Sequence, residues 1–441
     1  MAYDSINGKR PIEYASKINH SSIINSPEIK EFLEEYETIE LDLGKHVLPQ
    51  SNEIKFGTPK DITHIISVDG SFQDAVINKR FPSIVLTYFN VGALIFKMHE
   101  YDKLSSQQII DPALLKELKN VSKVCFAVPT NNILKKGYSN FIDSYRVRIN
   151  EIFSNKKYSC LHNDTLNTVL EWIIFEKWEL KSNSIRITCP NENCAEEIEF
   201  APNEHIKKCP CCGKEVFLTD YLKLYELINE PSGASRTITF LCNTIEQLFI
   251  AEIIREFYNT EPELLGKIVF LKDGPLAFFS KTFKLCSHYR SLFSYLESNN
   301  ILIYLVGLEK SGAFVDHAVY IKDKLSVGKY YIFNESYIKK YVEPTDSTTF
   351  YGYNTYYGKK LMYKTEAGDV LVVTVPVKAY KPELAASELI GAEVCLQTLS
   401  KLRCNMYDNS LVPIAIINKL VSLSDLPSAN ILEKFSKQQI N

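Results

Sequence analysis

HIISVDGSFQDA, His64 to Ala75, is the stretch whose reading decides the fold. An apolar run meets an aspartate, a glycine and a serine, and then continues as strand material. Aspartate disfavours strand interiors, and beside glycine at a strand end it ordinarily marks a turn. A stretch of the same kind occurs at KIVFLKDGPLAFF, Lys267 to Phe279. Each aspartate follows a mainly apolar run, so each reads as the end of a central strand. Carboxylates from separate strands can converge on one rim of a sheet, where they cannot all stay charged without a cation. Mg²⁺ or Mn²⁺ is the hard partner for such oxygens, and a pair of such ions activates water against a phosphodiester. The plain alternative is two ordinary turns.

Outward from His64, SIVLTYFNVGALIF follows THIISVDGS across a short polar link, as in an antiparallel meander, and KVCFAVP comes later as further strand material. Helical patterning is expected from about Gln107 to Leu118 and from Asp143 to Phe153, and TLNTVLEWIIFEKWEL reads as an amphipathic helix. A long helix is expected over TITFLCNTIEQLFIAEIIREFYN, before the second Asp-bearing strand. Strands come first and then alternate with helices, which defines an α/β domain carrying an inserted module. Residues 1–60 read as a polar helical segment, with Ser26 as N-cap and Pro27 at the first helical position. Residues 61–160 read as the first part of the sheet domain and 161–230 as a helical, cysteine-rich insertion with its ribbon at 186–218. Residues 231–441 read as the second part, closed by C-terminal helices.

The chain has 441 residues, 45% hydrophobic and 23% charged, with a formal net charge of -3. That suits a large globular core and excludes a global polycation, so a nucleic-acid surface must be a local patch. No secretory leader and no run of about 18 apolar residues is evident, so a cytoplasmic protein without a membrane span is expected. Of eleven cysteines, five fall between Cys189 and Cys212. The others are scattered in apolar surroundings and read as buried reduced thiols.

The cluster CPNENCAEEIEFAPNEHIKKCPCCG gives Cys189-x4-Cys194, then fourteen residues, then Cys209-x2-Cys212. Two thiolate pairs on tight turns close a tetrahedral Zn²⁺ site, and EEIEF between them alternates like a short strand. This is a zinc-ribbon pattern, with Cys211 spare and His205 a lesser candidate ligand. Four cysteines leave no open coordination position, so this zinc is structural.

The ordered set VDGSF, a helix bearing glutamate, LKDGPLAFF and VGLEKSG resembles the NurA family of prokaryotic nucleases over roughly residues 60–100 and 236–425. The resemblance implies an RNase H-like core and a Mn²⁺- or Mg²⁺-dependent deoxyribonuclease. It also implies a homodimer that works on DNA with a HerA-type hexameric ATPase, in DNA end processing or anti-phage defence. Carried over, Asp69 and Asp273 are the first- and second-motif aspartates. Glu246 is the first choice for the metal-binding helix glutamate and Glu252 the second. Lys310 matches a family lysine that follows a strand, placed to hold a phosphate or offset transition-state charge. The family ends with a tyrosine, a proline-containing segment and a histidine on a helix. Here RCNMYDNSLVPIAIINKLV offers Tyr407 and Pro413, with Asn418 where the histidine would be. Asparagine can ligate a metal or orient water but cannot act as a general base.

YGYNTYYGKKLMYK interleaves Tyr353 and Tyr356 with Lys359 and Lys360, a pattern that suits base stacking and phosphate contact on a single strand. A tyrosine-rich hairpin packing on itself is the competing reading. Lys135, Lys136, Arg146 and Arg148 read as a second basic stretch or a solvated face. Asp316 and His317 read as a surface turn. The alternative function is a non-catalytic DNA-binding adaptor of a translocase complex, to which the absent C-terminal histidine points.

Overall fold

A computed structural model describes residues 17–36, 47–55, 59, 61–78, 83–105, 120–179, 184–229, 232–345, 348–403, 411–423 and 430–440. The strands are β1 (Ser51–Glu53), β2 (His64–Asn78), β3 (Ile84–Lys97), β4 (Asn120–Asn131), β5 (Ile185–Thr188), β6 (Glu197–Phe200) and β7 (Ile206–Lys208), followed by β8 (Glu215–Phe217), β9 (Ile268–Asp273), β10 (Tyr304–Glu309), β11 (Lys329–Ile332), β12 (Gly358–Lys364) and β13 (Val370–Pro376). The α-helices are α1 (Lys17–Ile24), α2 (Pro27–Glu34), α3 (Met98–Ser105), α4 (Phe141–Phe153), α5 (Leu166–Ile174) and α6 (Ser235–Thr260), followed by α7 (Leu285–Ser298), α8 (Ala313–Tyr320), α9 (Glu335–Tyr341), α10 (Ala392–Lys401), α11 (Val412–Val421) and α12 (Asn430–Ile440). The chain divides into Met1–Val47 and a compact unit, Leu48–Asn441. In the first, Ser26 caps α2 by accepting from the Ile29 N–H, with Pro27 opening the helix as expected.

In the second, nine strands form one mixed sheet in the order β1-β11-β12-β13-β10-β9-β2-β3-β4. The meander read from the sequence is present: β2 pairs antiparallel with β3, and β3 with β4. On its other side β2 runs parallel to β9, and β9 parallel to β10. Strands β10, β13, β12, β11 and β1 continue antiparallel.

The central strands are apolar on both faces because both faces are covered. Ile66, Val68, Phe270 and Leu305 pack with α5, α6 and α7 in one core. Ile65, Val269, Leu271 and Val306 pack with α10 and α11 in the other. Helix α6 is long and apolar enough to span a membrane by composition, but most of it is buried inside the protein. It is the central helix of the first core.

The segment read as helical up to residue 60 instead contributes β1, whose Ser51–Glu53 pairs with Lys329–Tyr331 at the sheet edge. The stretch GAFVDHAVYI, read as a surface turn, holds α8, and the His317 ring is buried against the Tyr337 hydroxyl at 2.8 Å. The helix expected at Gln107–Leu118 lies outside the described residues. Between α5 and α6 stand two hairpins, β5–β6 and β7–β8. Their Cys189, Ile198, Phe200 and Val216 join the same core as α6.

Candidate functional site

Strand register brings the two Asp-Gly stretches together. The parallel ladder between β2 and β9 runs from His64↔Ile268 to Val68↔Lys272. Asp69 and Asp273 are the next residues of each strand, so they stand side by side where the ladder ends. Strand β2 does not stop there; it stays paired with β3 out to Asn78. Asp69 therefore marks the point where β2 parts from β9. Asp273 pairs with Leu308 of β10, and Lys310 follows two residues later. The Lys310 ammonium reaches the Asp273 carboxylate at 2.5 Å. Carboxyl ends of parallel strands are where open α/β sheets place ligands.

Helix α6 supplies the third carboxylate. Gly70 explains how it comes so close: a Cβ there would lie 2.7 Å from Cys242 Sγ and 2.9 Å from Glu246 Oε1. Any side chain at position 70 would crowd the Cys242 and Glu246 side chains of α6. The helix also fixes the loop after Asp273, because the Asn243 and Gln247 side-chain amides both donate to the Ala277 carbonyl, at 3.0 and 2.9 Å. Glu246 is buried and ion-paired with Lys272 at 2.9 Å, and Lys272 donates a second bond to the Asp273 carbonyl at 2.8 Å.

Two lysines thus neutralise two of the three carboxylates. Asp69 has only the Gly70 N–H, 2.8 Å from its Oδ1, and no cation partner among the described residues. Burial pushes its carboxyl up to about 7, reinforced by the charges of Asp273 and Glu246 and opposed by the Gly70 N–H and Lys310. Burial also raises Glu246, with Lys272 opposing. A buried carboxylate without a counter-charge, beside two others, is what a hard cation would relieve. The oxygens of Asp69, Glu246 and Asp273 do not close into a tight set. Among the described residues, the four cysteines are the one group of three or more whose ligand atoms all lie within 4.8 Å of one another.

Lys272 is the site residue that sequence reasoning missed. The signal that could have found it is a lysine directly after the apolar run IVFL, which is buried throughout. The second-choice glutamate has another job. Glu252 accepts the backbone N–H groups of Cys160 and Leu161, at 2.8 and 3.0 Å, and ties that turn to α6. Asn418 is exposed on α11, and its side chain takes no part in the bonds of the acidic cluster. Two residues further on in α11, the Leu420 carbonyl accepts from Lys123, while the Val421 carbonyl accepts from Ser71 and Asn90 beside Asp69. Tyr407 lies outside the described residues.

The tyrosine–lysine stretch is not an open DNA surface. Lys359 is buried, donates to the Pro382 carbonyl at 3.1 Å, and is lowered by burial to about 8. Lys360 is buried against Glu309 at 2.6 Å, with its ammonium 4.0 Å from the Phe314 ring centroid. Tyr356 is buried too, leaving Tyr353 as the exposed member of the four. Aromatic packing wins because the hairpin lies over Phe279, Tyr351 and Tyr380 rather than over solvent. In the second basic stretch, Arg146 is buried in a pair with Asp220 at 2.6 Å, and Lys135 and Arg148 pair with Glu151.

Each cysteine pair sits at the tip of one hairpin. Cys189 and Cys194 lie in the β5–β6 turn, Cys209 and Cys212 in the β7–β8 turn, where Gly213 takes φ 73. Cys189 Sγ is 3.5 Å from Cys212 Sγ, and Cys194 Sγ is 3.7 Å from Cys209 Sγ. A tetrahedron with Zn–S of about 2.3 Å has edges of about 3.8 Å, so this donor set fits the ion. Cys211 is exposed outside the set, and His205 is held by Glu171 at 3.0 Å.

The fold and site define a mixed α/β protein with an acidic cluster at the ends of parallel strands and a separate four-cysteine centre. No family model matches the chain, and no curated protein matches it. Among solved structures it is similar to the NurA nuclease from Sulfolobus solfataricus, at 10% identity over 96% of this chain and 97% of that one, with a TM-score of 0.33. A second crystal structure of NurA is 10% identical over 97% and 99% of the two chains, with a TM-score of 0.30. A NurA bound to dAMP and manganese is 10% identical over 96% of each, with a TM-score of 0.27.

Proposed function

We propose that the chain is a metal-dependent deoxyribonuclease whose catalytic residues are Asp69, Asp273, Glu246 and Lys310. The observation that carries this is the pair Asp69 and Asp273, side by side where β2 and β9 part, with Glu246 of α6 against Gly70 and Asp69 lacking any cation partner among the described residues. The strand order β4-β3-β2-β9-β10, an antiparallel meander continued by two parallel strands, supports an RNase H-like core. A Mn²⁺ or Mg²⁺ ion bound there supplies a Lewis acid for the phosphodiester and lowers the pKa of water. Asp69 and Asp273 would hold the ion from adjacent strands, and Glu246 completes the negative charge from the helix side. Lys310, half-buried at the rim on Asp273, is placed to meet the charge that builds on the phosphoryl oxygens.

The four cysteines would bind a structural zinc in a ribbon that stabilises the core around α6. The reading extends to a homodimer fed with DNA by a HerA-type translocase, in end processing or anti-phage defence. Its test is Mn²⁺-dependent cleavage of linear and single-stranded DNA, with Asp69→Ala and Asp273→Ala alongside. Both variants should lose more than about a hundredfold in rate. Equal inertness of all three proteins, with and without an ATPase partner, refutes it. That result would favour the adaptor reading, which draws on the two lysines that already occupy two of the three carboxylates.

A further inference from the structure

We infer that the acidic cluster takes one divalent ion per chain, between Asp69 and Asp273, with the Lys272 ammonium standing at Glu246 in place of a second ion. The inference rests on the metal-dependent reading above and specifies how many ions that site holds.

Strand alternation separates the groups into two sets. Ile65, Val269, Leu271 and Val306 point into one core, and Ile66, Val68, Phe270 and Leu305 into the other. By the same alternation, Asp69, Asp273 and Lys310 fall on the α10–α11 face, while Gly70 and Lys272 fall on the α6 face. Glu246 comes from α6 and meets Lys272 there, at 2.9 Å. The two carboxylates on one side and the Glu246–Lys272 pair on the other meet only around the end of the sheet.

Oxygen occupancy gives the same division. Glu246 Oε2 holds Lys272, and its Oε1 faces the Cys242 thiol at 3.6 Å, hard against Gly70. Asp69 Oδ1 takes the Gly70 N–H, and Asp273 Oδ2 takes Lys310. The second oxygens of Asp69 and Asp273 have no protein partner among the described residues, and they belong to neighbouring strands about 4.8 Å apart. Those are the oxygens an ion can recruit without breaking a pair. Glu246 can be recruited only by stripping Lys272 of its carboxylate, and Lys272 is buried with no other carboxylate in ion-pair range among the described residues.

Charge closes on the same number. Three carboxylates and two ammonium groups leave one net negative charge. A single divalent ion turns that to one positive, which one phosphodiester cancels. A second ion would leave the buried cluster strongly positive.

Mn²⁺ titration of the zinc-loaded full chain, by calorimetry and by counting free Mn²⁺ from its electron paramagnetic resonance signal, tests this. The wild type should bind one Mn²⁺ per chain. Asp69→Asn should weaken that ion by more than about tenfold, while Glu246→Gln should change it by less than about threefold. Lys272→Gln, which frees Glu246, should raise the count to two. Two ions of similar affinity in the wild type overturn the inference but leave the metal-dependent reading intact. So does a Glu246→Gln loss as large as that of Asp69→Asn. A count that stays at one in Lys272→Gln overturns the role given to Lys272. No Mn²⁺ bound by the wild type, or binding unchanged in Asp69→Asn, overturns both.

Discussion

Asp69→Asn should make the metal-free protein more stable at alkaline pH and leave it nearly unchanged at acidic pH. The carboxyl is raised from 3.8 to about 7 by burial and by Asp273 and Glu246. Below the ordinary aspartate pKa, Asp69 is protonated both folded and unfolded, and it contributes no strain. As pH rises from about 4 to about 7, the unfolded chain releases its proton while the folded chain keeps it, so stability falls with pH across that window. Above about pH 7 the loss is complete. Three pKa units at 1.36 kcal/mol each put it on the order of 4 kcal/mol. With an unfolding entropy of about 2.1 cal/mol/K per residue, that is roughly 4 °C in Tm for a chain of this size. The assay compares wild type and Asp69→Asn by thermal denaturation at about pH 3.5 and about pH 8.5, without added divalent ions. Other titrating groups cancel in the difference. Added Mn²⁺ at the higher pH should raise the wild type toward the variant and leave the variant where it was. A variant equally offset at both pH values, or less stable than wild type at the higher one, refutes the electrostatic account of the site.

Gly70→Ala should destabilise by about 1–3 kcal/mol through overpacking, and Cys242→Ala in the same chain should recover part of it, since Cys242 Sγ is the nearest atom to the new methyl. Chemical denaturation of the two variants and their combination checks this. Glu309→Gln should cost about 3 kcal/mol by leaving the buried Lys360 unpaired, and Lys360→Met in that background should restore most of it. Lys359→Met should leave the salt dependence of DNA binding unchanged, because a buried ammonium releases no counterion from phosphate. Cys209→Ser should abolish stoichiometric zinc, measured by metal analysis, and lower Tm.

Much of the sheet was legible because local pattern and tertiary demand agree there. The runs of β2 and β3 are long and rich in apolar residues, and the short link between them leaves little choice but an antiparallel pair. The two aspartates and the cysteine pairs were legible because their surroundings make them costly unless they have a purpose. The errors share one cause, which is burial supplied from far along the chain. Lys359 and Lys360 look solvated by type, but Pro382 and Glu309 arrive from other elements to satisfy them. Asp316 and His317 look like turn residues until Tyr337 covers the ring. The three-residue β1 has no periodicity of its own and exists because β11 offers it an edge. Lys272 was overlooked because its partner sits on α6, and nothing near it in sequence announces the pair.

The ladder between β2 and β9 joins residues such as His64 and Ile268, which are 204 positions apart (268 minus 64). A ribosome adding about 5–20 residues per second needs roughly 10–40 s to cover that distance. For that interval the newborn chain carries β2 with one edge unpaired and its aspartate without neighbours. The cysteine hairpins and α6 are synthesised in the gap, ahead of the strand that completes the sheet. An open apolar edge of this kind invites pairing with other chains. That edge closes when β9 arrives to pair with it, so the yield of folded protein should fall when synthesis is slowed between the two strands.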